Sequence, residues 1–409
     1  MKKKLLALAV AGAFVAPVAM ADTANVNIYG VANVSFDSVD NGSAGATSGN
    51  RNSKISSNAS HIGFKGSESL GGGTSAIWQI ESAVAIDNSG AGQGFGTRNT
   101  FAGLKGEGWG SLTLGRMDTP YKVATRRLDL FDETLGDNRS LMGGTGGATT
   151  AQMAAVSAAT TTVALAAAIS GLSSGKGFDT RPSDQVAYTS PSMGGFSVGL
   201  AYVAGSETKA TSAGTKGSAY SLNGAYEAGP IYVTLAYANN KIGAAGSGTM
   251  AGGAAGTDAT ESAWKLGGSY SMDQFQVAAI YERTRDDFMK GAGTGDDDLL
   301  GHHTWYIGGK FNVTGSDAIK LAYTKMNQIN GGGVAAVKNN TGAKQYSVGY
   351  DHAMSKRTTV FALYTKLNND TNSAFGLATD AGIEASGAVA ASIKDADPSA
   401  FQIGLKHTF

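Results

Sequence analysis

The densest group of chemically capable side chains lies in "MDTPYKVATRRLDLFDETLGDNRS", residues 117–140. Here Asp118, Asp129, Asp132, Glu133 and Asp137 stand beside Arg126, Arg127 and Arg139. Mixed charge at this density can steer or select ions, but it lacks the make-up of a catalytic set. The five histidines, His61, His302, His303, His352 and His407, are scattered, and none adjoins a nucleophile motif. In an extended strand His302 and His303 point to opposite faces, so they are not expected to share a metal. Asp296, Asp297 and Asp298 are consecutive and lack the alternate spacing of an EF-hand loop. The absence of cysteine removes thiolate nucleophiles, thiolate metal sites and disulfide scaffolds together. These residues predict no enzyme, no cofactor and no resident metal.

The elements that must position such charges follow a period of two. In "NVNIYGVANVSF", Val26, Ile28, Val34 and Phe36 share one face, and Asn25, Asn27, Tyr29, Asn33 and Ser35 share the other. "PIYVTLAY", "YSLNGAY", "FQVAAIY" and "QYSVGYDH" repeat the alternation, which marks a sheet with one apolar and one polar face. Sixteen strands are predicted near 24–37, 54–66, 74–86, 97–106, 109–116, 181–190, 194–203, 218–227, 230–240, 262–271, 273–285, 302–313, 317–327, 344–353, 356–368 and 399–409. Their connections alternate between tight turns such as "EAGP" and "MSK" and long segments rich in Gly, Ser, Asn and Asp.

An even number of antiparallel strands, short turns at one end and long loops at the other predict an all-β transmembrane barrel of sixteen antiparallel strands. Strands of about ten residues suit a tilted membrane crossing. Lipid offers no partner for a free sheet edge, so the last strand must pair with the first. That requirement accounts for a chain that ends inside the strand "FQIGLKHTF". The apolar side chains then face lipid, and the polar ones face an interior too wide for side chains to fill. Strand-end tyrosines, among them Tyr202, Tyr237, Tyr281, Tyr323 and Tyr364, are expected to form interfacial girdles.

At the N-terminus, "MKKKLLALAVAGAFVAPVAMADT" has three lysines, an apolar stretch and Ala19-x-Ala21 before Asp22. This predicts a secretory signal peptide over 1–21, leaving 22–409 as the barrel. The whole chain has 32 basic and 32 acidic residues; loss of Lys2, Lys3 and Lys4 leaves 29 against 32, a formal charge of −3. Such a balance does not suggest a nucleic-acid partner. Ala148–Leu172 has helical composition, but Gln152 and many Ser and Thr residues argue against a membrane span.

The residues resemble the general porins of Gram-negative outer membranes, especially the neisserial and betaproteobacterial type. The matching pieces are "VNIYGVANVSF", "HIGFKGSESLGGG", "SAIWQIES", "TRNTFAGLKGEGWGSLTLGR", "VAYTSPSMGGFSVGLAY" and "FQIGLKHTF", in order along the chain. The resemblance implies a homotrimer in outer-membrane lipid and lipopolysaccharide, passing ions and small hydrophilic solutes by passive diffusion. It implies that the third extracellular loop, 117–180, folds inward, and that Phe409 helps the barrel-assembly machinery recognise the chain. The alternative is a substrate-specific porin with a solute site in the channel.

In this family, acidic loop residues face a basic cluster on the barrel wall. By motif, the wall positions fall on Arg98 in "TRNTFAGLK", Arg181 in "TRPSDQVAY" and His61 in "HIGFKG". His61 departs from a permanently basic residue, and Val31 thins the cluster again. From the loop, the resemblance implies Arg126, Arg127, Asp129, Asp132 and Glu133. Parity with Phe101 and Val186, expected to face lipid, turns Arg98 and Arg181 inward. Opposed charges across a water-filled gap create a transverse field that sets ion preference.

Overall fold

A computed structural model of the chain describes residues 26–42, 51–87, 94–144, 177–204, 218–242, 259–287, 296–333, 335–377 and 395–409. The predicted signal segment and Ala148–Leu172 lie outside the described residues. The strands are β1 (Asn27–Asp40), β2 (Arg51–Ser57), β3 (His61–Gly71), β4 (Thr74–Ala83), β5 (Thr100–Gly106) and β6 (Gly110–Arg116). They continue as β7 (Gln185–Thr189), β8 (Phe196–Val203), β9 (Ser218–Ala228), β10 (Ile231–Ile242), β11 (Ala259–Ser271) and β12 (Phe275–Asp286). The last are β13 (His303–Asn312), β14 (Asp317–Met326), β15 (Ala343–Ala353), β16 (Thr358–Asn369) and β17 (Ser399–Thr408).

These segments make sixteen barrel strands, because β2 and β3 lie end to end along one neighbour. β1 pairs with β2 over Val34–Asp40 and with β3 over Asn27–Val31. The break between them is polar and local. Ala59 adopts a left-handed backbone (φ 55°), and the Ser60 hydroxyl stands in for the ladder. Ser60 Oγ accepts from the Asn33 N–H and donates to the Asn33 carbonyl, both at 2.9 Å.

Every other strand pairs antiparallel with its sequence neighbour, and β17 returns to β1, from Val31 opposite Thr408 to Asp40 opposite Ser399. The sheet is closed. An open edge would leave a row of backbone groups unpaired in hydrocarbon, at several kcal/mol each. Closure reaches the final residue. The Gly30 N–H donates to the Phe409 carbonyl at 3.0 Å, and the Phe409 N–H donates to Gly30 at 3.1 Å. Only glycine fits at position 30, since a Cβ there would come within 2.4 Å of the Phe409 ring.

The polarity is inverted relative to a soluble core. On β13, Trp305 and Ile307 are 52% and 54% exposed, whereas Thr304 and Tyr306, facing inward between them, are 0% and 2% exposed. Several of the singled-out tyrosines lie on the outer face, where Tyr202 packs on Tyr220 and Tyr323 on Tyr346. No helix among the described residues is long and apolar enough to cross a membrane.

Phe101 corrects an expectation. It belongs to the inner face, because Ala102 and Leu104 pair with the outward Leu114 and Leu112, leaving Phe101 opposite Gln79. β5 starts at Thr100, so alternation counted from Arg98 does not pass unbroken through Asn99. Val186 is outward, as expected.

Candidate functional site

The charged segment 117–144 begins with helix α1 (Pro120–Arg126). The Thr119 side chain caps it by accepting from the Lys122 N–H, and Pro120 supplies a first-turn residue that needs no donor. The apolar side of α1 packs Tyr121 and Ala124 against Phe178, Ala236, Ala238 and Ala263. The small alanines of β10 and β11 on the inner face make room for the helix.

Polar bonds fix both ends of the segment to one point on the wall. The Tyr121 N–H donates to Ser221 Oγ of β9, and its hydroxyl to Glu282 Oε2 of β12, each at 2.8 Å. Glu282 also accepts from the Gly143 N–H at 2.9 Å. Lys265 Nζ of β11 lies 3.3 Å from Glu282 and 2.6 Å from Asp179, with the Tyr121 ring 4.4 Å away. Lys265 and Glu282 are fully buried, and Asp179 nearly so.

Between its ends the segment runs along the inner face as far as β1. The Leu130 N–H donates to the Tyr306 hydroxyl of β13 at 2.9 Å. Phe131 packs on Phe361 and Leu363 and lies under the Lys320 ammonium, 5.0 Å from the ring centre. Glu133, in a left-handed conformation (φ 60°), receives Lys406 of β17 at 2.8 Å, and its carbonyl receives the Asn33 amide of β1. The Leu135 N–H then donates to Gln402, Ser347 donates to the Gly136 carbonyl, and Thr304 to the Leu141 carbonyl. This cover explains why Thr304, Tyr306 and Gln345 are buried although they face the lumen.

The wall residues singled out from the sequence form two groups. Arg98 Nε donates to Glu81 at 2.6 Å, and the Tyr29 hydroxyl donates to the same carboxylate at 2.9 Å. His61 joins this group edge-on to Tyr29, with Nε2 4.0 Å from Glu81. In the second group, Arg181 bonds Asn99 at 2.8 Å and Asp118 at 3.0 Å, and Lys122 meets Asp118 at 2.9 Å. Both arginines are nearly covered, with side chains 7% exposed. Each therefore stands beside an acid rather than bare. Arg116 bonds the Thr97 carbonyl and Ser183.

The loop charges divide differently. Arg126 pairs within the segment to Asp132 and Asp137. Arg127 forms a two-pronged bond to Glu227 at 2.7 and 2.8 Å while lying over the Tyr232 ring. The Arg127 side chain is 50% exposed and that of Asp132 36%, so these charges meet solvent. Asp129 is buried and accepts from the Phe131 and Asn138 N–H groups. Burial first, then the Asp137 charge, pushes its carboxyl up to about 7.

Sequence reasoning missed Glu81, Asp179, Lys265, Glu282 and Lys406. The available signal was a charged side chain at an inward position of a strand, such as Lys265 in "AWKLGG" or Glu282 in "IYERT". A charge there needs a partner brought by another element. His302 and His303 diverge as expected: His302 bonds Thr284 and the Leu300 carbonyl, and His303 meets the outer Tyr281 hydroxyl.

A closed antiparallel barrel of sixteen strands has counterparts among known proteins. A sequence model of the family described as Gram-negative porin matches residues 7–372. The chain belongs to that family. Outer membrane porin protein 32 of Delftia acidovorans is 27% identical over 421 residues, covering all of both chains. The major outer membrane protein P.IB of Neisseria meningitidis serogroup B is 42% identical over 125 residues, 30% of this chain and 35% of that protein. Among solved structures, an anion-selective porin from Comamonas acidovorans superposes with a TM-score of 0.70 at 23% identity, covering 95% of this chain and all of the other. The porin is thus an outer-membrane protein of a Gram-negative bacterium, forming a channel for passive diffusion of ions and small hydrophilic solutes.

Proposed function

We propose that residues 117–144 narrow this diffusion channel, and that the surrounding charges set its size limit and ion preference. The observation that carries this reading is the chain of bonds from the segment to inward side chains of β9, β12, β13, β15, β17 and β1. Arg98, Arg181 and His61 act from the wall, with Arg126, Arg127, Asp129, Asp132 and Glu133 on the loop. Because Arg98 and Arg181 are matched by Glu81 and Asp118, ion preference is a small difference between opposed charges. It is not the field of an unopposed basic row.

The same reading makes residues 1–21 a cleaved signal peptide and the working unit a homotrimer embedded in lipid and lipopolysaccharide. It makes Phe409 a recognition element for the barrel-assembly machinery, and it assigns the protein no enzymatic step. The reversal potential in a salt gradient tests the central part. Arg98→Ala/Arg181→Ala removes two positive charges and is expected to move the preference towards cations. An unchanged reversal potential would defeat the assignment.

One observation favours a substrate-specific porin as second reading. A cavity of about 460 Å³ lies between α1 and the wall, bordered by Asn99, Asp118, Arg127, Asn223, Glu227 and Tyr232. A solute that dwelt there would give conductance that saturates and is blocked by competitors. Flux ranked only by size and charge would leave the general channel.

A further inference from the structure

Diffusion of hydrophilic solutes gives no reason for apolar side chains to line the lumen, yet a patch of them does. Ile77 of β4 faces inward, opposite Gly103 and two residues along from Gln79, which pairs with the inward Phe101 of β5. Both apolar side chains are partly exposed. From α1, Val123 is 55% exposed. All three border the cavity of about 460 Å³ between α1 and the wall. Apolar surface grouped in this way and left open to water marks a place where something binds.

The same cavity takes in an exposed ion pair. Arg127 and Glu227, each about half exposed, meet through two N–H···O bonds, and the guanidinium lies 4.2 Å from the centre of the Tyr232 ring. A guanidinium has more N–H donors, and a carboxylate more lone pairs, than two bonds use. Asp118, the other carboxylate of the lining, is already engaged by Arg181 and Lys122. Glu227 and Tyr232 flank the tight turn from β9 to β10, which sets the cavity on the short-turn, periplasmic side of α1.

Charge and apolar surface together narrow the class of occupant. A simple anion meets Glu227 as well as Arg127, a simple cation meets Arg127 as well as Glu227, and a sugar gains little from Ile77, Phe101 or Val123. A solute with a carboxylate and an ammonium close together satisfies both ions without net charge. We propose that this cavity is a binding site for α-amino acids with large apolar side chains, such as phenylalanine or leucine. The carboxylate is held by Arg127 and the ammonium by Glu227, while the side chain covers the patch of Ile77, Phe101 and Val123. Such a site presupposes the second reading above, in which a solute dwells in the channel, and gives that solute a chemical class.

The test uses the full chain folded into planar bilayers, with phenylalanine, glycine, N-acetylphenylalanine, phenylalaninamide and glucose added to the bath in turn. Phenylalanine is expected to block the current in a saturating way, about 10-fold more strongly than glycine, which lacks the side chain. The acetylated and amidated forms, each with one charge, are expected to be about 10-fold weaker than phenylalanine. Val123→Ser narrows the gap between phenylalanine and glycine while leaving glycine unchanged. Glu227→Gln makes phenylalanine and N-acetylphenylalanine equal. Wild-type block in both variants would overturn the placement in this cavity. Equal block by glycine or by either single-charged form would overturn the class, as would saturation by glucose alone, which would still leave a solute site. If none of these solutes saturated, the site and the second reading would fall together.

Discussion

Asp129 shows how one carboxyl couples the loop to pH. It is buried beside Asp137 and Arg126, and its pKa is raised to about 7 from the usual value. The native state therefore holds a proton between roughly pH 4, where an unfolded aspartate ionises, and pH 7. The sign follows: the stability conferred by this group is complete below about pH 4, falls as pH rises towards 7, and is flat above. The loop is expected to be better held at pH 5 than at pH 8, read as slower proteolysis within 117–144 at the lower pH. Asp129→Asn has no proton to lose, so its cleavage rate should be nearly the same at both; an undiminished difference would acquit Asp129. The wall arginines show what the sequence discloses at this scale. The parity count that turned them inward does not hold, since Arg98 and Arg181 stand outside β5 and β7. Their pairing with Glu81 and Asp118 was not legible either, because it joins residues from separate strands and a loop. Phe101 failed for a related reason, since counting by twos is valid only inside a continuous strand.

At the scale of the element, the segment 117–144 behaves as a strap fastened at both ends by Tyr121, Gly143, Asp179, Lys265 and Glu282. Tyr121→Phe removes one bond to a buried carboxylate and is expected to cost about 1–3 kcal/mol. Lys265→Met is more severe. It leaves Glu282 and Asp179 buried without their cation, at about 3–5 kcal/mol. Urea unfolding should show both losses, larger for Lys265→Met, with noisier single-channel current as the strap loosens. If Lys265→Met unfolded at the wild-type urea concentration, the network would not be what holds the segment. Little of this was readable beforehand. The length and charge of the loop set it apart, and the family resemblance gave its direction, but Glu282 and Lys265 appeared only as polar members of strand alternation.

For the whole molecule, the same alternation that located the strands also specifies an apolar exterior and a polar interior, and closure follows from the intolerance of lipid for an open edge. That logic was legible throughout, down to Phe409, whose backbone bonds with Gly30 extend the seam where β17 meets β1. The break at Asn58–Ser60, like the inner face taken by Phe101, was not anticipated; it was hidden because Ser60 Oγ substitutes for backbone groups. Current through a planar lipid bilayer carrying the folded chain tests the channel most directly. Discrete, stable steps are expected, with conductance rising in proportion to bulk salt as in a water-filled passage. A chain that inserted fully folded and passed no current, or whose conductance ignored electrolyte concentration, would contradict the account.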